Sequence, residues 1–348
     1  MEIHVYDRSL RRLGHIENHT SLQWHRKYYE CGTFELHCPV TAENLRLLKP
    51  GNVITKGDNK LEAAVIRGDQ TEEESTLVNE ITRNGKFLPV YLGDRLTGPL
   101  FNYSGTVEDA MRFMLGRMAA VPLLQIAEGT GDKTKIQFQA TYKNVLEYLT
   151  KLARYAEIGF RVVPDFKKKT MTFETYKGID RTQAQGKNPR VIFSESYDNL
   201  NQAKHNYSDE SMKTKVIVGG AGEGLNRVYV TVGGGSGFDL REVFLDAKDI
   251  NKDELTEAAY LAALRTRGQE YLNENKVFEN FEAEAEADVN FIYQKDYDLG
   301  DVVTVKKKKW GTSQNLRITE LCEVYEYGGM YVVPTFGDAL PTAIKWDD

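Results

Sequence analysis

The chain has 348 residues, of which 41% are hydrophobic and 28% charged, and its formal net charge at pH 7 is −6. Its 19 tyrosines and 15 phenylalanines exclude a mainly disordered protein, because that much apolar surface can offset the entropy lost on folding. The acidic balance argues against general nucleic-acid binding, and no apolar run approaches the roughly 18 residues that a membrane-spanning helix needs.

Residues 1–95 consist of short alternating segments separated by turn residues. In one of them Phe34, Leu36 and Cys38 share a face, as side chains two apart on a strand do. Turn signals at residues 49–51 and 83–85 separate such segments. Many short strands at this spacing predict an N-terminal β-barrel-like domain over residues 1–95.

Residues 96–178 combine helical and strand patterns. Thr106 and Asp109 form a capping box before apolar residues at helical spacing. A second helical pattern runs from Tyr142 to Ala156, and two strand patterns follow it. These patterns predict a small α+β domain over residues 96–178.

Residues 179–348 return to strand patterns, interrupted by one helix near residues 252–275 that Asn251 could cap. They predict a second β-barrel-like domain. The fold class is therefore α+β and mainly β, with two barrel-like β domains flanking a small α+β domain.

Two glycine clusters, at residues 219–224 and 233–237, each follow a strand pattern. A dinucleotide-binding loop needs a helix directly after the glycines, but the first cluster here precedes another strand pattern. Both clusters are therefore interpreted as flexible loops, and we expect no cofactor.

Potential metal ligands occur together at His25, Cys31, His37 and Cys38. His37 and Cys38 are adjacent on a predicted strand, so they point to opposite faces, and no closely paired ligand spacing occurs. We therefore expect no metal site. The 51 acidic residues cannot be paired from one sequence, because a catalytic pair depends on spatial separation. No catalytic residue is predicted.

One dense basic run stands out near the C-terminus, and an aromatic residue follows it. It comprises Lys306, Lys307, Lys308, Lys309 and Trp310. Such a run could bind single-stranded nucleic acid by charge and stacking. The alternative is an exposed hairpin between residues 301–305 and 316–319 with its turn at 311–315, and the acidic net charge favours this interpretation.

Two stretches of the sequence resemble the tail hub (baseplate hub) family of phages and prophages, including siphovirus-type tail proteins and the N-terminal hub of tail-associated lysins. The first is WHRKYYECGTFELHCP at residues 24–39, followed by LLKPGNVI at 47–54. The second is YDLGDVVTV at 297–305, followed by ITE at 318–320 and VPTFG at 333–337. Together they bracket nearly the whole chain.

The resemblance implies a structural protein without enzymatic activity. Three copies would form a ring that joins the tail tube or distal tail ring to the tail tip and host-attachment machinery, with DNA passing only through its channel. It implies synthesis in the bacterial host cytoplasm, a final place in the virion tail and no membrane insertion. Candidate interface residues are Trp24, Tyr28, Tyr29, the basic run with Trp310, and the two glycine loops. A cell-wall hydrolase and a receptor- or carbohydrate-binding tail component remain as alternatives.

Overall fold

The computed structural model describes residues 1–57, 59, 61–73, 79–99, 101–197, 199–253, 255–284 and 290–337. The fold is mainly β, with 43% strand and 19% helix. The helices are α1 Ala42–Leu47, α2 Val90–Gly93, α3 Val107–Arg117, α4 Val145–Ala156 and α5 Glu257–Glu274. The strands are β1 Ile3–Tyr6, β2 Arg12–Ile16, β3 Ser21–Lys27, β4 Thr33–Pro39, β5 Val53–Lys56, β6 Ala64–Glu73, β7 Asn79–Phe87, β8 Asn102–Thr106, β9 Leu124–Ile126, β10 Lys135–Gln139, β11 Gly159–Asp165, β12 Thr170–Tyr176, β13 Ile192–Ser194, β14 Asn201–Ser208, β15 Lys215–Gly219, β16 Tyr229–Gly233, β17 Glu242–Asp246, β18 Phe278–Glu284, β19 Val302–Lys307, β20 Thr312–Glu326 and β21 Gly329–Gly337.

A single 13-stranded sheet joins the two ends of the chain. Its order is β14-β18-β21-β20-β3-β4-β7-β6-β5-β1-β2, with β19 pairing β20 and β13 pairing β19 at its side. The antiparallel pair β3–β20 links the N-terminal strands to the C-terminal ones. The mainly β prediction is confirmed, whereas the two barrel-like domains stay a prediction. Within the described residues this path ends at β14 and β2 without closing into a barrel. The domain limits 1–95, 96–178 and 179–348 stay predictions.

The α+β unit contains α3 and α4 over a core of buried Met, Leu and Phe side chains. Thr106 caps α3 as predicted, since its side chain accepts a hydrogen bond from the Asp109 amide. Helix α4 begins at Val145 with Asn144 as its cap. Tyr142, which the helical pattern included, is instead exposed and has a φ of 51°. Its position before the cap places it outside the helix.

A separate three-stranded sheet, β16-β15-β17, packs one face on α5. The predicted helix is confirmed, but its N-cap is Thr256 rather than Asn251. Gly268 lies in the middle of α5, where a Cβ would come within 2.8 Å of Val232 and 2.9 Å of Val218. Glycine therefore permits the close approach of this helix to the sheet.

Candidate functional site

The aromatic residues predicted at an interface lie on β3 and directly after its last residue, Lys27. Trp24 and Tyr28 are both 0% exposed within the chain itself. The Trp24 ring lies 4.5 Å from the Phe87 ring, and the Tyr28 hydroxyl accepts a hydrogen bond of 3.2 Å from the Gly178 amide. These two side chains therefore serve the chain's own core, which corrects their interface prediction. They are inaccessible because Trp24 packs within one hydrophobic core and Tyr28 within another, where its ring lies 5.2 Å from the Tyr176 ring.

Tyr29 differs from its two predecessors because it is only half-buried. Its ring contacts side chains of two hydrophobic cores. The Arg154 guanidinium carbon lies 5.5 Å from the centre of the ring, within cation–π range. Its place at a subunit interface stays a prediction.

Between Trp24 and Tyr28, the inward side chain is charged. Arg26 is 3% exposed, and its Nε donates to Glu62 Oε1 at 2.6 Å. Its Nη1 donates to the Tyr293 hydroxyl and to Asp298 Oδ1, both at 2.6 Å. Burial opposes ionisation of Glu62, but the charges of Arg26 and Lys56 outweigh it and hold the pKa of the carboxyl below its ordinary value.

A second buried carboxylate extends this group. Glu323 on β20 is 0% exposed and is bonded by Lys56 of β5. It also accepts hydrogen bonds from the Tyr293 hydroxyl at 2.8 Å and the Tyr325 hydroxyl at 2.6 Å. We call these side chains the Arg26 cluster: Arg26, Lys56, Glu62, Tyr293, Asp298, Glu323 and Tyr325. The cluster joins β3, β5, β20 and the segment before β19.

The basic run lies on a hairpin, as predicted. Strand β19 pairs with β20, with Lys307 opposite Thr312. The turn therefore falls at residues 308–311, with Gly311 at a φ of 65°, and not at 311–315. Residues 312–315 lie in β20 because the strand pairing extends to the glycine that reverses the chain.

The hairpin exposes only part of the basic run. Lys308 and Lys309 are exposed, Lys306 is half-buried and Lys307 is buried. The side chain of Trp310 lies outside the described part of the structure. The two turn lysines are therefore the accessible charges of this run, and their role at an interface stays a prediction.

The two glycine loops lie at the ends of β15 and β16. No helix follows the first loop within the described residues, since a short 3₁₀ turn at Gly224–Asn226 leads into β16. The open face of this sheet exposes 52% of Tyr229 and 51% of Phe244, and Phe238 projects fully from the second loop. Arg227 lies near the two sheet rings, at 5.9 Å and 5.3 Å. The sequence analysis missed this aromatic face, although the alternation of Tyr229 with valines on β16 was a signal for it.

The cysteines have no environment that would activate a thiol. Burial raises the pKa of Cys31 to about 12 and those of Cys38 and Cys322 to about 11. A nucleophilic cysteine requires a lowered pKa. The side chains of the four potential ligands, His25, Cys31, His37 and Cys38, do not meet at one point among the described residues. One reason is that Cys38 is buried in the core.

A groove of about 560 Å³ crosses the outer side of β3, β4 and β7. Among its described lining residues Phe34 is the sole aromatic, and that side chain is 3% exposed. Its other lining side chains include His25, Glu35, Lys86 and Asp94. The groove therefore lacks the exposed aromatic surface expected of the carbohydrate-binding alternative. Within the residues that the structure describes, no helix has the length and apolar character to cross a bilayer.

Comparison with known proteins points to phage tails. A family model described as Siphovirus ReqiPepy6 Gp37-like protein matches residues 2–338. No curated protein matches the chain significantly.

Three solved structures share the fold over nearly their whole lengths. The 43 kDa tail protein of prophage MuSo2 from Shewanella oneidensis has a TM-score of 0.59 at 14% identity, covering 97% of this chain and 98% of that one. A tail protein from Neisseria meningitidis MC58 has a TM-score of 0.60 at 13% identity, with coverages of 97% and 96%. Prophage tail protein gp18 from Listeria monocytogenes EGD-e has a TM-score of 0.55 at 13% identity, with coverages of 96% and 94%.

Proposed function

The chain belongs to the Siphovirus ReqiPepy6 Gp37-like protein family, and from this we propose that it is a structural hub of a phage or prophage tail. Three copies form a ring between the tail tube or distal tail ring and the tail tip. The observation that carries this proposal is the end-to-end similarity to prophage tail proteins, which covers 94–98% of those chains. Similarity over a whole chain favours a shared assembly role more than a shared local motif would.

The proposed hub has no enzymatic role. The raised pKa values of the three thiols are the opposite of what a cysteine nucleophile needs. The buried carboxylates of the Arg26 cluster are hydrogen-bonded to Arg26, Lys56 and tyrosines. Their role is therefore to link strands rather than to catalyse a reaction. A preparation of the protein should leave the turbidity of a bacterial cell-wall suspension unchanged, whereas the hydrolase alternative requires turbidity to fall.

Two exposed surfaces suit contacts with neighbouring subunits or other tail proteins. One is the aromatic face formed by Tyr229 and Phe244, with Phe238 exposed on the second glycine loop, and these supply the large apolar side chains that interface cores favour. The other is the turn of the basic hairpin, with Lys308 and Lys309. Charges at such a position steer and align a partner of opposite sign. DNA meets the ring only in transit through its channel.

The absolute mass in solution tests the ring directly. Light scattering behind size exclusion, over a wide concentration range, should give three times the 39.5 kDa of one chain, or 118.5 kDa. The same measurement with the tail-tube partner present would detect a ring that forms only when it is bound to that partner. A stable dimer, or a monomer that stays monomeric with that partner, would refute the trimeric hub.

Reversing the charge of the hairpin turn should weaken assembly. We expect the double variant Lys308→Glu/Lys309→Glu to raise the concentration at which half of the proposed ring has dissociated by at least tenfold. Each substitution changes the charge by two units, so four charge units change at one contact. The matched control is Lys167→Glu/Lys168→Glu, at another exposed strand turn. Equal weakening by both double variants would show a general charge effect and contradict an interface at the hairpin.

A further inference from the structure

The hairpin of β1 and β2 brings histidine and glutamate side chains together on one exposed face. Its antiparallel register places His4 opposite His15. Glu2 lies two residues before His4, and Glu17 lies two residues after His15, so all four point to the same side of the hairpin. One ligand atom from each of Glu2, His15 and Glu17 lies within 4.8 Å of the other two.

The polar partners of these carboxylates are imidazoles. Glu2 Oε2 lies 2.9 Å from His4 Nε2, and Glu17 Oε1 lies 3.2 Å from His15 Nε2. Among the described ion pairs, neither carboxylate is joined to a lysine or arginine. All three proposed ligand side chains are exposed, so an ion from solution can reach them.

A second histidine–glutamate group shows that composition alone does not produce this convergence. His37 contacts Glu35 through Nε2 at 2.9 Å and Glu80 through Nδ1 at 3.3 Å. Its two carboxylates therefore lie on different ring nitrogens and face away from a common point. That group has the same residue types as Glu2, His15 and Glu17, but its ligand atoms do not lie around one common point.

We propose that Glu2, His15 and Glu17 bind one divalent transition-metal ion of the Zn²⁺ type at the β1–β2 hairpin. Three protein ligands leave a fourth tetrahedral position for water. His4 orients the Glu2 carboxylate by a hydrogen bond and is a positioning residue.

Geometry and ligand chemistry both favour this ion. Ligands on a tetrahedral Zn²⁺ stand roughly 3.4 Å apart, given bond lengths of about 2.0–2.2 Å. The present separations of up to 4.8 Å close by rotation of exposed glutamate side chains, whose terminal torsions are broad. An imidazole ligand selects Zn²⁺ and related ions over Mg²⁺ and Ca²⁺, which prefer oxygen ligands alone.

The metal would cross-link β1 and β2 at one edge of the main sheet. β2 is the terminal strand of that sheet and pairs only with β1 on the described path. A ligand that binds the folded state alone raises its stability. Zn²⁺ bound across the two strands should therefore raise the melting temperature of the full chain, and the rise should depend on His15.

Calorimetric titration of the full chain with Zn²⁺ at pH 7.5 is the test. We expect one ion per chain in the wild type, at least tenfold weaker binding in His15→Ala, and unchanged binding in the matched control His37→Ala. Mg²⁺ at the same concentration should not compete.

Thermal melts without metal verify that His15→Ala folds like the wild type, as expected for an exposed side chain. Three outcomes would overturn the proposal. They are absence of Zn²⁺ binding in the wild type, unchanged binding in His15→Ala, and equal weakening in His37→Ala.

Discussion

Replacing Arg26 by methionine is expected to lower the free energy of unfolding by about 3–5 kcal/mol, the usual cost of removing one partner from a buried ion pair. The substitution leaves Glu62, 7% exposed, and Glu323, 0% exposed, with only Lys56 as a nearby cation of the Arg26 cluster. Methionine keeps much of the side-chain volume, so the loss reports the missing charge and hydrogen bonds. Chemical denaturation of the wild type and the variant at pH 7 measures it.

The exposed arginine of α1 supplies the control for this experiment. Arg46 pairs with Glu43 at 2.6 Å on the protein surface, and such pairs contribute about 0–1 kcal/mol. Arg46→Met should therefore leave stability nearly unchanged. Arg26→Met should also lose less relative to the wild type at acid pH, because its Glu62 can then be protonated. A cost for Arg26→Met as small as that for Arg46→Met would contradict the stabilising role of the cluster.

Glu270→Gln is expected to make the protein progressively more stable than the wild type as pH rises. Glu270 lies on α5 where it packs on α4, is 7% exposed, and among the described residues its Oε1 has no hydrogen-bond partner. Burial raises the pKa of Glu270 to about 7, although the charges of Arg267 and Lys151 act to lower it. The charged form is thus disfavoured in the folded state.

The direction follows from proton linkage. Between the ordinary pKa of 4.5 and the folded value of about 7, the folded chain holds a proton that the unfolded chain has lost. Wild-type stability therefore falls as pH rises through that window, by about 3 kcal/mol in total. Glutamine has no such proton, so the stability difference between variant and wild type should grow by that amount from pH 4.5 to pH 8.

Denaturation at several pH values measures this difference, and its slope is independent of any constant packing cost of the amide. Glu257→Gln, an exposed change in the first turn of the same helix, serves as the control and should show no comparable slope. Parallel curves for Glu270→Gln and the wild type would mean that Glu270 is not held protonated in the folded state.

Local patterns predicted the elements whose signals lie within a few residues. The cap at Thr106 was placed correctly because Thr106 and the amide it bonds are three residues apart. The helix starts near Tyr142 and Asn251 were misplaced, since Asn144 and Thr256 offered competing caps close by. Pattern alone does not rank two nearby capping residues.

Long-range features could not be predicted in this way. The pairing of β3 with β20 depends on which strand edges meet, and no local spacing records that. Trp24 and Tyr28 are buried against side chains distant in sequence, Phe87 and Tyr176 among them, which is why an interface was wrongly predicted for the two. The Arg26 cluster was missed because its members come from four separate segments. Only Arg26 had a local signal in the sequence, because it alternates with the inward-facing aromatic residues Trp24 and Tyr28 and so places a charge on the buried side.

The β3–β20 pair also sets the timing of folding during synthesis. Strand β3 is made early, but its partner begins at Thr312. At about 5–20 residues per second, a ribosome needs roughly 15 to 60 s to produce the intervening chain. Throughout that interval one edge of β3 offers open backbone donors and acceptors to other nascent chains. Yield of the protein should therefore depend on translation speed and on chaperones that shield strand edges.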